Sequence, residues 1–273
     1  MGKILYIVGH GVSSNGAYDP GAVSGGYEEF KIAKEIAKYA QEYYNKTYSE
    51  QADLMNYNGT LSLQNRINRL QDDTYDFIAE IHLNAGGGRG VECYYMNGNE
   101  KGREYADKIC DYISDILAVP QRPNWVDEDG GDKVKLDEYG NDYFGIIRRT
   151  KPTAVLVETV FIDTPSDLEA VKTAAGQKKC GESIAQAVAK VRGVKKKTAK
   201  SSFKEYKVKV IAKKVNIRKT PKFVDSDIVG AITDKGVYTI VAEKKVGTIP
   251  MGKLKSGKGW ISLRSKYVRK LED

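Results

Sequence analysis

The sequence predicts an α/β domain with a twisted, mostly parallel sheet and helices on both of its faces, followed by a small all-β barrel. Three observations indicate this organisation. Strand-like and helix-like segments alternate over residues 1–193, which is typical of a parallel sheet covered by helices. Short strand-like segments separated by turn formers fill residues 206–273. The intervening residues 194–205 are polar, rich in lysine and without periodicity, and we expect them to form a linker.

The elements of the first domain follow from apolar runs and from helical periodicity. The chain opens with the run KILYIV, and short runs of the same kind predict strands over residues 3–8, 76–83, 90–95 and 154–157. The first helix is predicted by an apolar stripe that contains Ala33, Ile36, Ala37, Ala40 and Tyr44. Helices are predicted over residues 28–44, 62–70, 104–117, 166–175 and 181–191.

The second domain is predicted from short segments of strand formers. Turn formers separate them, among them Pro221, Gly236, Gly247 and Gly257. The predicted strands are residues 206–211, 215–218, 228–232, 237–242 and 259–263. Short strands at this spacing favour a barrel over an α/β layer.

Composition excludes several classes of protein. The 273 residues are 41% hydrophobic and 29% charged, an ordinary globular balance. The longest strictly apolar run, residues 4–8, is too short to cross a bilayer, so we expect no membrane insertion. A signal peptide needs an apolar core of roughly 7–15 residues, and its absence here predicts a protein made and retained in the cytoplasm until it is released. Three cysteines without a C-x-x-C spacing argue against a disulfide scaffold.

Charge is distributed unevenly along the chain. Residues 1–193 contain 22 Lys and Arg against 29 Asp and Glu, a net charge of −7. Residues 194–273 contain 22 against 7, a net charge of +15. This asymmetry predicts two domains with different partners, of which the basic one binds a polyanion.

The chain has two histidines, and both lie near the end of a predicted strand. His10 follows ILYIVG, and His82 follows FIAEI. Because ligands of parallel α/β sheets bind beyond the carboxyl ends of the strands, both imidazoles are expected at one edge of the sheet. Two histidines placed alike favour a metal site over two unrelated structural hydrogen bonds. A catalytic zinc usually takes three protein ligands, so a carboxylate has to complete the set.

Glu28 and Glu29 are the nearest carboxylates, because they begin the first helix. At about 100° per residue, Glu29 lies within about 40° of the apolar stripe and Glu28 about 140° away. We therefore expect Glu29 to face the sheet and Glu28 to face solvent. In the alternative interpretation, both acids only complement the positive end of the helix dipole.

Two further carboxylates belong to this edge. Glu158 follows the apolar strand AVLV, where an acid is costly unless it is paired or bound, and near zinc it could serve as general base. Glu80 lies two residues before His82, on the same strand face, and could orient that histidine. Structural ion pairs remain the alternative for both residues.

Five motifs in order give the chain a family resemblance. They are Val8-Gly9-His10, Asp19-Pro20-Gly21-Ala22, Glu29, Ile81-His82-Leu83-Asn84-Ala85 and Leu156-Val157-Glu158. This order resembles the zinc-dependent N-acetylmuramoyl-L-alanine amidases of the amidase-3 family over residues 1–191. The family often continues after the catalytic Glu with x-Gly-Phe-Ile, whereas this chain has Val160 in place of the Gly.

The resemblance implies a role for each site residue. His10, Glu29 and His82 would bind one zinc ion, and Glu158 would be the general base and acid. The reaction would cut the amide between the lactyl group of N-acetylmuramic acid and the L-alanine of the peptidoglycan stem peptide. Asn84 would help to position the substrate, although it could equally bond its own backbone.

The second domain resembles bacterial SH3-like (SH3b) cell-wall-binding domains. The matching residues are Val215–Pro221, Ile228-Val229-Gly230 and Gly259-Trp260-Ile261. An amidase followed by such a domain looks like a phage endolysin of a Gram-positive host, which acts on the wall after release through the membrane. Its partners would be peptidoglycan and anionic wall polymers.

Three competing functions remain open at this stage. A zinc peptidase could use the same ligands to cut within the stem peptide. A nucleic-acid-binding protein could use the basic end, but the chain lacks an RNP, KH or zinc-finger pattern, so no nucleic-acid partner is expected. The third is a non-catalytic wall-binding protein with a degenerate first domain. Against it, the three candidate metal ligands and the candidate catalytic Glu158 are all present.

Overall fold

The computed structural model describes residues 3–123, 130–197 and 203–271. The chain divides into two compact units, Met1–Lys197 and Thr198–Asp273. The first four residues of the expected linker, 194–197, pair with the first unit through backbone hydrogen bonds, such as that from Lys197 N to Thr47 O at 2.7 Å. Residues 198–202 of that linker lie outside the described residues.

The first unit alternates strands and helices along most of its length. Its strands are β1 (Lys3–Val8), β2 (Gly11–Val12), β3 (Tyr18–Asp19), β4 (Val23–Ser24), β5 (Tyr27–Glu28), β6 (Ala52–Met55), β7 (Tyr75–Asn84), β8 (Glu92–Tyr95), β9 (Asp132–Lys133) and β10 (Thr153–Phe161). Its helices are α1 (Glu29–Thr47), α2 (Leu63–Asn68), α3 (Glu100–Leu117), α4 (Gly145–Arg148), α5 (Pro165–Val171) and α6 (Ala174–Arg192). Among the described residues, no helix is both long and apolar enough to span a bilayer.

Six of these strands form the central sheet, in the order β6-β1-β7-β10-β8-β9. All neighbours run parallel except β10 and β8, which run antiparallel. One face is covered by α1, α3 and α6, and the other by α2 and α4. The predicted mixed α/β fold with a mostly parallel sheet is therefore confirmed.

The helix α1 shows why this packing follows from the sequence. Its predicted stripe is buried, with Ala33, Ile36, Ala37, Ala40 and Tyr44 all at 0% exposure. The stripe packs on the sheet and on α6, where a Cβ on Gly181 would lie 2.4 Å from the carbonyl oxygen of Ile36. A glycine at this point of α6 lets the two helix backbones approach closely.

Three differences from the predicted elements of this unit concern the central sheet and its packing. The strand predicted over 154–157 continues to Phe161, so Glu158 lies inside β10 rather than at its end. The sequence did not predict β6, because the segment ADLM has only four residues and contains Asp53; at the sheet edge it is mostly half-buried. It also missed α4, a single turn whose apolar residues Ile146 and Ile147 fill the smaller core.

The second unit is a seven-stranded antiparallel sheet. Its strands are β11 (Tyr206–Val210), β12 (Val215–Arg218), β13 (Ile228–Ile232), β14 (Val237–Val246), β15 (Ile249–Leu254), β16 (Trp260–Ser262) and β17 (Val268–Lys270), in the sheet order β13-β12-β16-β15-β14-β11-β17. Over the described part of the chain, β13 and β17 do not pair, so hydrogen bonds do not close the sheet into a ring. Two strands were not predicted: β15 contains Pro250 and Gly252, and β17 is only three residues long.

Candidate metal centre

Two neighbouring strands bring the histidines together. β1 and β7 run parallel with Val8 opposite Ile81, so the chain reaches His10 and His82 at the same edge of the sheet. His10 adopts a positive φ of 58°, which turns the chain sharply after the strand. The two imidazole ring centres are 4.8 Å apart. His82 lies two residues before the end of β7, and the strand predicted over residues 76–83 also placed it near a strand end.

The carboxylate of Glu29 lies between the two imidazoles. Its Oε1 is 3.0 Å from His10 Nε2 and 2.9 Å from His82 Nδ1. Glu29 is 3% exposed. Glu28 instead contacts the Tyr18 hydroxyl and the Lys31 ammonium. The structure thus brings one of the two adjacent acids to the histidines and leaves the other in surface contacts.

Each of the three donor residues is held by a further partner. His10 Nδ1 is 2.9 Å from Asp19 Oδ2, and His82 Nε2 is 3.3 Å from Glu80 Oε2. Glu29 accepts hydrogen bonds from the backbone N–H groups of Ala22 at 2.8 Å and of residue 83 at 3.1 Å. These contacts fix the side chains before any ligand arrives.

The three groups shift one another's pKa strongly. Burial lowers the pKa of His82, but hydrogen bonds to Glu29 and Glu80 outweigh it and hold that pKa well above its ordinary value. His10 shows the same balance, and its pKa is raised. Burial would raise the pKa of Glu29, but hydrogen bonds with both histidines hold it far below its ordinary value. The cluster therefore binds positive charge: protons in the absence of a metal ion, or a cation in their place.

Two glycines make room for this cluster. A Cβ on Gly9 would lie 2.2 Å from Cε1 of His82. A Cβ on Gly21 would lie 2.5 Å from Oε2 of Glu29, and Gly21 also has a φ of +68°. Neither position can carry a side chain unless the His82 or Glu29 side chain moves.

The donor set fits a metal ion. One donor atom from each of His10, Glu29 and His82 lies within 4.8 Å of the others. Two imidazole nitrogens and one carboxylate oxygen form a common three-ligand set for catalytic zinc. The carboxylates of Asp19 and Glu80 on the distal ring nitrogens are the partners that such ligands usually have.

Glu158 faces the same site from the neighbouring strand. β10 pairs with β7 so that Glu158 lies opposite His82. Both residues line a cavity of about 600 Å³ that also contains His10 and Glu29. Oε2 of Glu158 is buried and has no hydrogen-bond partner among the described residues. Burial raises the pKa of Glu158 to about 7, so this carboxylate can hold or release a proton near neutral pH.

Asn84 and Glu80 also line the cavity, and they differ in how far their polar atoms are already hydrogen-bonded. Asn84 Oδ1 accepts a hydrogen bond from the backbone N–H of Ala85 at 2.8 Å, and its Nδ2 donates to Glu92 Oε1 at 2.5 Å. Glu80 is buried and accepts from Arg66 Nε at 2.9 Å. Asn84 therefore retains one amide hydrogen for a ligand, whereas Glu80 is fully engaged beneath His82.

Three residues of the site were not singled out from the sequence. Asp19 belongs to the motif Asp19-Pro20-Gly21-Ala22, and its place nine residues after a candidate ligand was a usable signal. Arg66 and Glu92 gave no such signal, because each is a charged residue whose burial depends on distant partners. Arg66 is 4% exposed and also donates to the His10 carbonyl oxygen at 3.3 Å. Glu92 accepts from Lys133 at 2.6 Å.

An α/β sheet that carries a His–Glu–His donor set and a buried acid at one edge has the groups that metal-assisted hydrolysis needs. The family model described as N-acetylmuramoyl-L-alanine amidase matches residues 4–190. The chain belongs to this family, as the sequence motifs indicated, and is a hydrolase of the peptidoglycan amidase class.

Individual relatives agree with this assignment. The sporulation-specific N-acetylmuramoyl-L-alanine amidase of Bacillus subtilis is 30% identical over 218 residues, which is 79% of this chain and 76% of that protein. The catalytic domain of the CD27L endolysin, which targets Clostridia difficile, is 27% identical with a TM-score of 0.53, over 70% of this chain and 98% of that domain. Cwp6 from Clostridium difficile is 27% identical with a TM-score of 0.61, over 70% of this chain but only 29% of Cwp6.

The contact between Asp19 and His10 leads to a first prediction. Replacing Asp19 with Asn removes the charge that orients the His10 ring, so we expect zinc affinity to fall about 10- to 100-fold. Competition with a chromophoric chelator measures this affinity without reference to activity. Asp73→Asn is the matched control, because the Asp73 side chain is 86% exposed and, among the described residues, contacts only Lys151 within hydrogen-bond distance. Equal affinities of the two variants would contradict the positioning role of Asp19.

Proposed function

We propose that this chain is a zinc-dependent N-acetylmuramoyl-L-alanine amidase of the endolysin type. It cleaves the amide between the lactyl group of N-acetylmuramic acid and the L-alanine of the stem peptide in the wall of a Gram-positive host. One observation carries the proposal: the buried, unpartnered Oε2 of Glu158 shares a cavity with the His10–Glu29–His82 donor set.

In this proposal, His10, Glu29 and His82 hold the zinc ion. Zinc supplies Lewis acidity, which makes water acidic enough to react at neutral pH and polarises the scissile carbonyl. The carboxylates of Asp19 and Glu80 keep the two imidazoles oriented. Asn84 lines the same cavity, and its remaining amide hydrogen is available to the substrate.

Glu158 carries the proton during the reaction. In its ionised form it accepts a proton from the attacking water as oxygen bonds to the lactyl carbonyl carbon. It then donates that proton to the L-alanine nitrogen as the C–N bond breaks, which leaves a lactyl carboxylate and a free amino terminus. A pKa of about 7, raised by burial, suits both halves of this cycle near neutral pH.

The second unit serves in this proposal as an SH3b-like wall-binding domain. Two features support the assignment. Arg218 of the N-x-R-x-x-P segment pairs with Trp260 of the G-W segment, across β12 and β16. A Cβ on Gly259 would lie 2.3 Å from the Arg218 carbonyl oxygen, so this approach needs glycine. The net charge of +15 over residues 194–273 would hold the enzyme on anionic wall polymers.

The proposed site of action follows from the endolysin assignment. Such an enzyme is made in the host cytoplasm and reaches the wall after release through the membrane. The similarity to the catalytic domain of an endolysin supports this placement.

Product analysis tests the proposed reaction. Gram-positive peptidoglycan is digested with the wild-type protein, with and without a chelator, and the fragments are identified by mass spectrometry. We expect free stem peptides with a new L-alanine amino terminus, and none after chelation, until zinc is restored.

Two other outcomes would contradict the proposal. If the glycan and L-alanine stay joined while another peptide bond breaks, the enzyme is a stem-peptide peptidase. If walls of several chemotypes stay uncut but still sediment with the protein, the chain is a binding protein.

A further inference from the structure

A basic groove lies in the second unit, and none of its lining residues is among those to which the sequence assigned a role in chemistry. Its volume is about 570 Å³. Among the described residues, the charged side chains that line it are all basic, and no acidic side chain does so. The cationic and aromatic lining residues are Lys214, Arg218, Phe223, Arg264 and Tyr267.

The two guanidinium groups of the groove meet at one aromatic ring. The central carbons of Arg218 and Arg264 are 5.3 Å and 5.9 Å from the centre of the Phe223 ring. Arg218 is 9% exposed, and its Nη1 donates to the carbonyl oxygen of Val224 at 2.7 Å. Packing and this hydrogen bond therefore orient the Arg218 fork before a ligand binds.

The positive charge of the groove is not neutralised locally. Within 4 Å, neither guanidinium forms an ion pair with a carboxylate of the described residues. Asp227 is an acidic neighbour of Arg218, and its Oδ2 already accepts two hydrogen bonds from Thr220, at 2.9 Å and 2.7 Å. The groove therefore offers one oriented guanidinium, that of Arg218, and one exposed guanidinium, that of Arg264, neither of them paired with a described carboxylate. Such a concave site is suited to an anion with several acceptor oxygens.

We propose that the groove of Lys214, Arg218, Phe223 and Arg264 binds the phosphodiester groups of a polyol-phosphate polymer of the bacterial wall. The proposal rests on the proposed function, which places the enzyme at the wall. Phosphate oxygens match the fork geometry of guanidinium groups. The net charge of +15 over residues 194–273 favours a polyanion, which offers many such groups, over a ligand with one carboxylate.

The aromatic residues of this unit argue against single-stranded nucleic acid as the ligand. Proteins that bind it stack the bases on free aromatic faces. Here cations already lie over three such rings: the two arginines over Phe223, Lys266 over Tyr267 at 5.0 Å, and Lys270 over Tyr206 at 4.1 Å. A saturated backbone between phosphates needs no stacking surface and therefore fits the groove better.

Binding of poly(glycerol phosphate) to the full-length protein tests the proposal. The double variant Lys214→Gln/Arg264→Gln removes two exposed charges of the groove and leaves the more buried Arg218 in place. The control Lys235→Gln/Lys258→Gln removes two exposed charges that do not line it. Fluorescence anisotropy at physiological salt should show about 10- to 100-fold weaker binding for the groove variant and little change for the control. Circular dichroism checks that both variants fold.

Three results would overturn the proposal. Equal weakening in both variants would mean diffuse charge attraction instead of a site. Equal, groove-dependent binding of polyglutamate would assign the groove to anions in general. Tighter groove-dependent binding of duplex DNA of matched charge would make nucleic acid the ligand.

A separate assay distinguishes failure of the groove proposal from failure of the amidase proposal. Wild-type protein and Glu158→Gln are compared on peptidoglycan stripped of phosphate polymers. If the wild type does not cleave this substrate, the amidase proposal fails, whereas the binding result with poly(glycerol phosphate) stands.

Discussion

Replacing Glu158 with Gln is expected to lower the rate of amide cleavage by about 10²- to 10⁴-fold, the usual contribution of a general acid–base. Glutamine has nearly the same shape, but it can neither accept the proton of water nor return one to the leaving nitrogen. The His10–Glu29–His82 cluster is unchanged by this replacement, so zinc affinity should stay near that of the wild type. The release of stem peptides, measured by mass spectrometry, and chelator competition give the two readouts.

Glu169→Gln is the matched control for Glu158→Gln. The Glu169 side chain is 67% exposed and, within the part of the chain that the structure describes, forms an ion pair only with Lys172. Both cleavage and zinc binding should therefore be unaffected. If Glu158→Gln cleaves at the wild-type rate, or loses zinc together with activity, its proposed role as proton carrier is wrong.

Relative to the wild type, Glu158→Gln should become more stable in the metal-free protein as the pH rises. Burial raises the pKa of Glu158 from 4.5 to about 7, so the folded state holds a proton that the unfolded state releases. The free energy of unfolding of the wild type, relative to Glu158→Gln, should therefore fall between pH 4.5 and 7. Over this pH range, the free energy of unfolding of the wild type should fall by about 3 kcal/mol relative to that of Glu158→Gln. Urea denaturation of chelated protein at pH 4.5 and pH 8 measures it, and a pH-independent difference would contradict a buried, ionising Glu158.

Replacing Glu29 with Gln is the second substitution with a large expected effect. Oε1 lies between the two imidazoles, and Oε2 accepts from the backbone N–H of Ala22. An amide is neutral, and its NH₂ group would face either that N–H or the imidazoles. Loss of a residue that only orients a ligand can lower metal affinity by roughly 100-fold. Because Glu29 is itself a proposed ligand, we expect its replacement to lower zinc affinity by more than that. The rate of cleavage should fall with it.

Glu28→Gln is the adjacent control for Glu29→Gln. Glu28 contacts Tyr18 and Lys31 at the surface, so its replacement should leave zinc affinity and cleavage unchanged. Chelator competition and product analysis are run on both variants, and circular dichroism shows whether each is folded. If Glu28→Gln loses zinc and Glu29→Gln retains it, the ligand is the other acid of the pair.

Periodicity and strand ends were enough to place the candidate ligand residues approximately. The apolar stripe of α1 correctly separated the environments of Glu28 and Glu29, because helix geometry is local. The carboxyl ends of β1 and β7 carried His10 and His82 to one edge of the sheet, because parallel neighbours end on the same side. The sequence was less accurate at Glu158, which lies inside β10, because the strand continues through a register shift after that residue.

The sequence by itself determined the family, the mixed α/β domain with its mostly parallel sheet, and the residue types near the metal centre, because these follow from local periodicity and motif order. Only the tertiary structure decided which partners hold the side chains of the candidate site. Asp19 on His10, Arg66 beneath Glu80 and Glu92 beside Asn84 come together through chain reversals and strand pairing. The burial of Glu158 Oε2 without a hydrogen-bond partner among the described residues has the same origin, since desolvation depends on everything packed around a group and no local pattern records it.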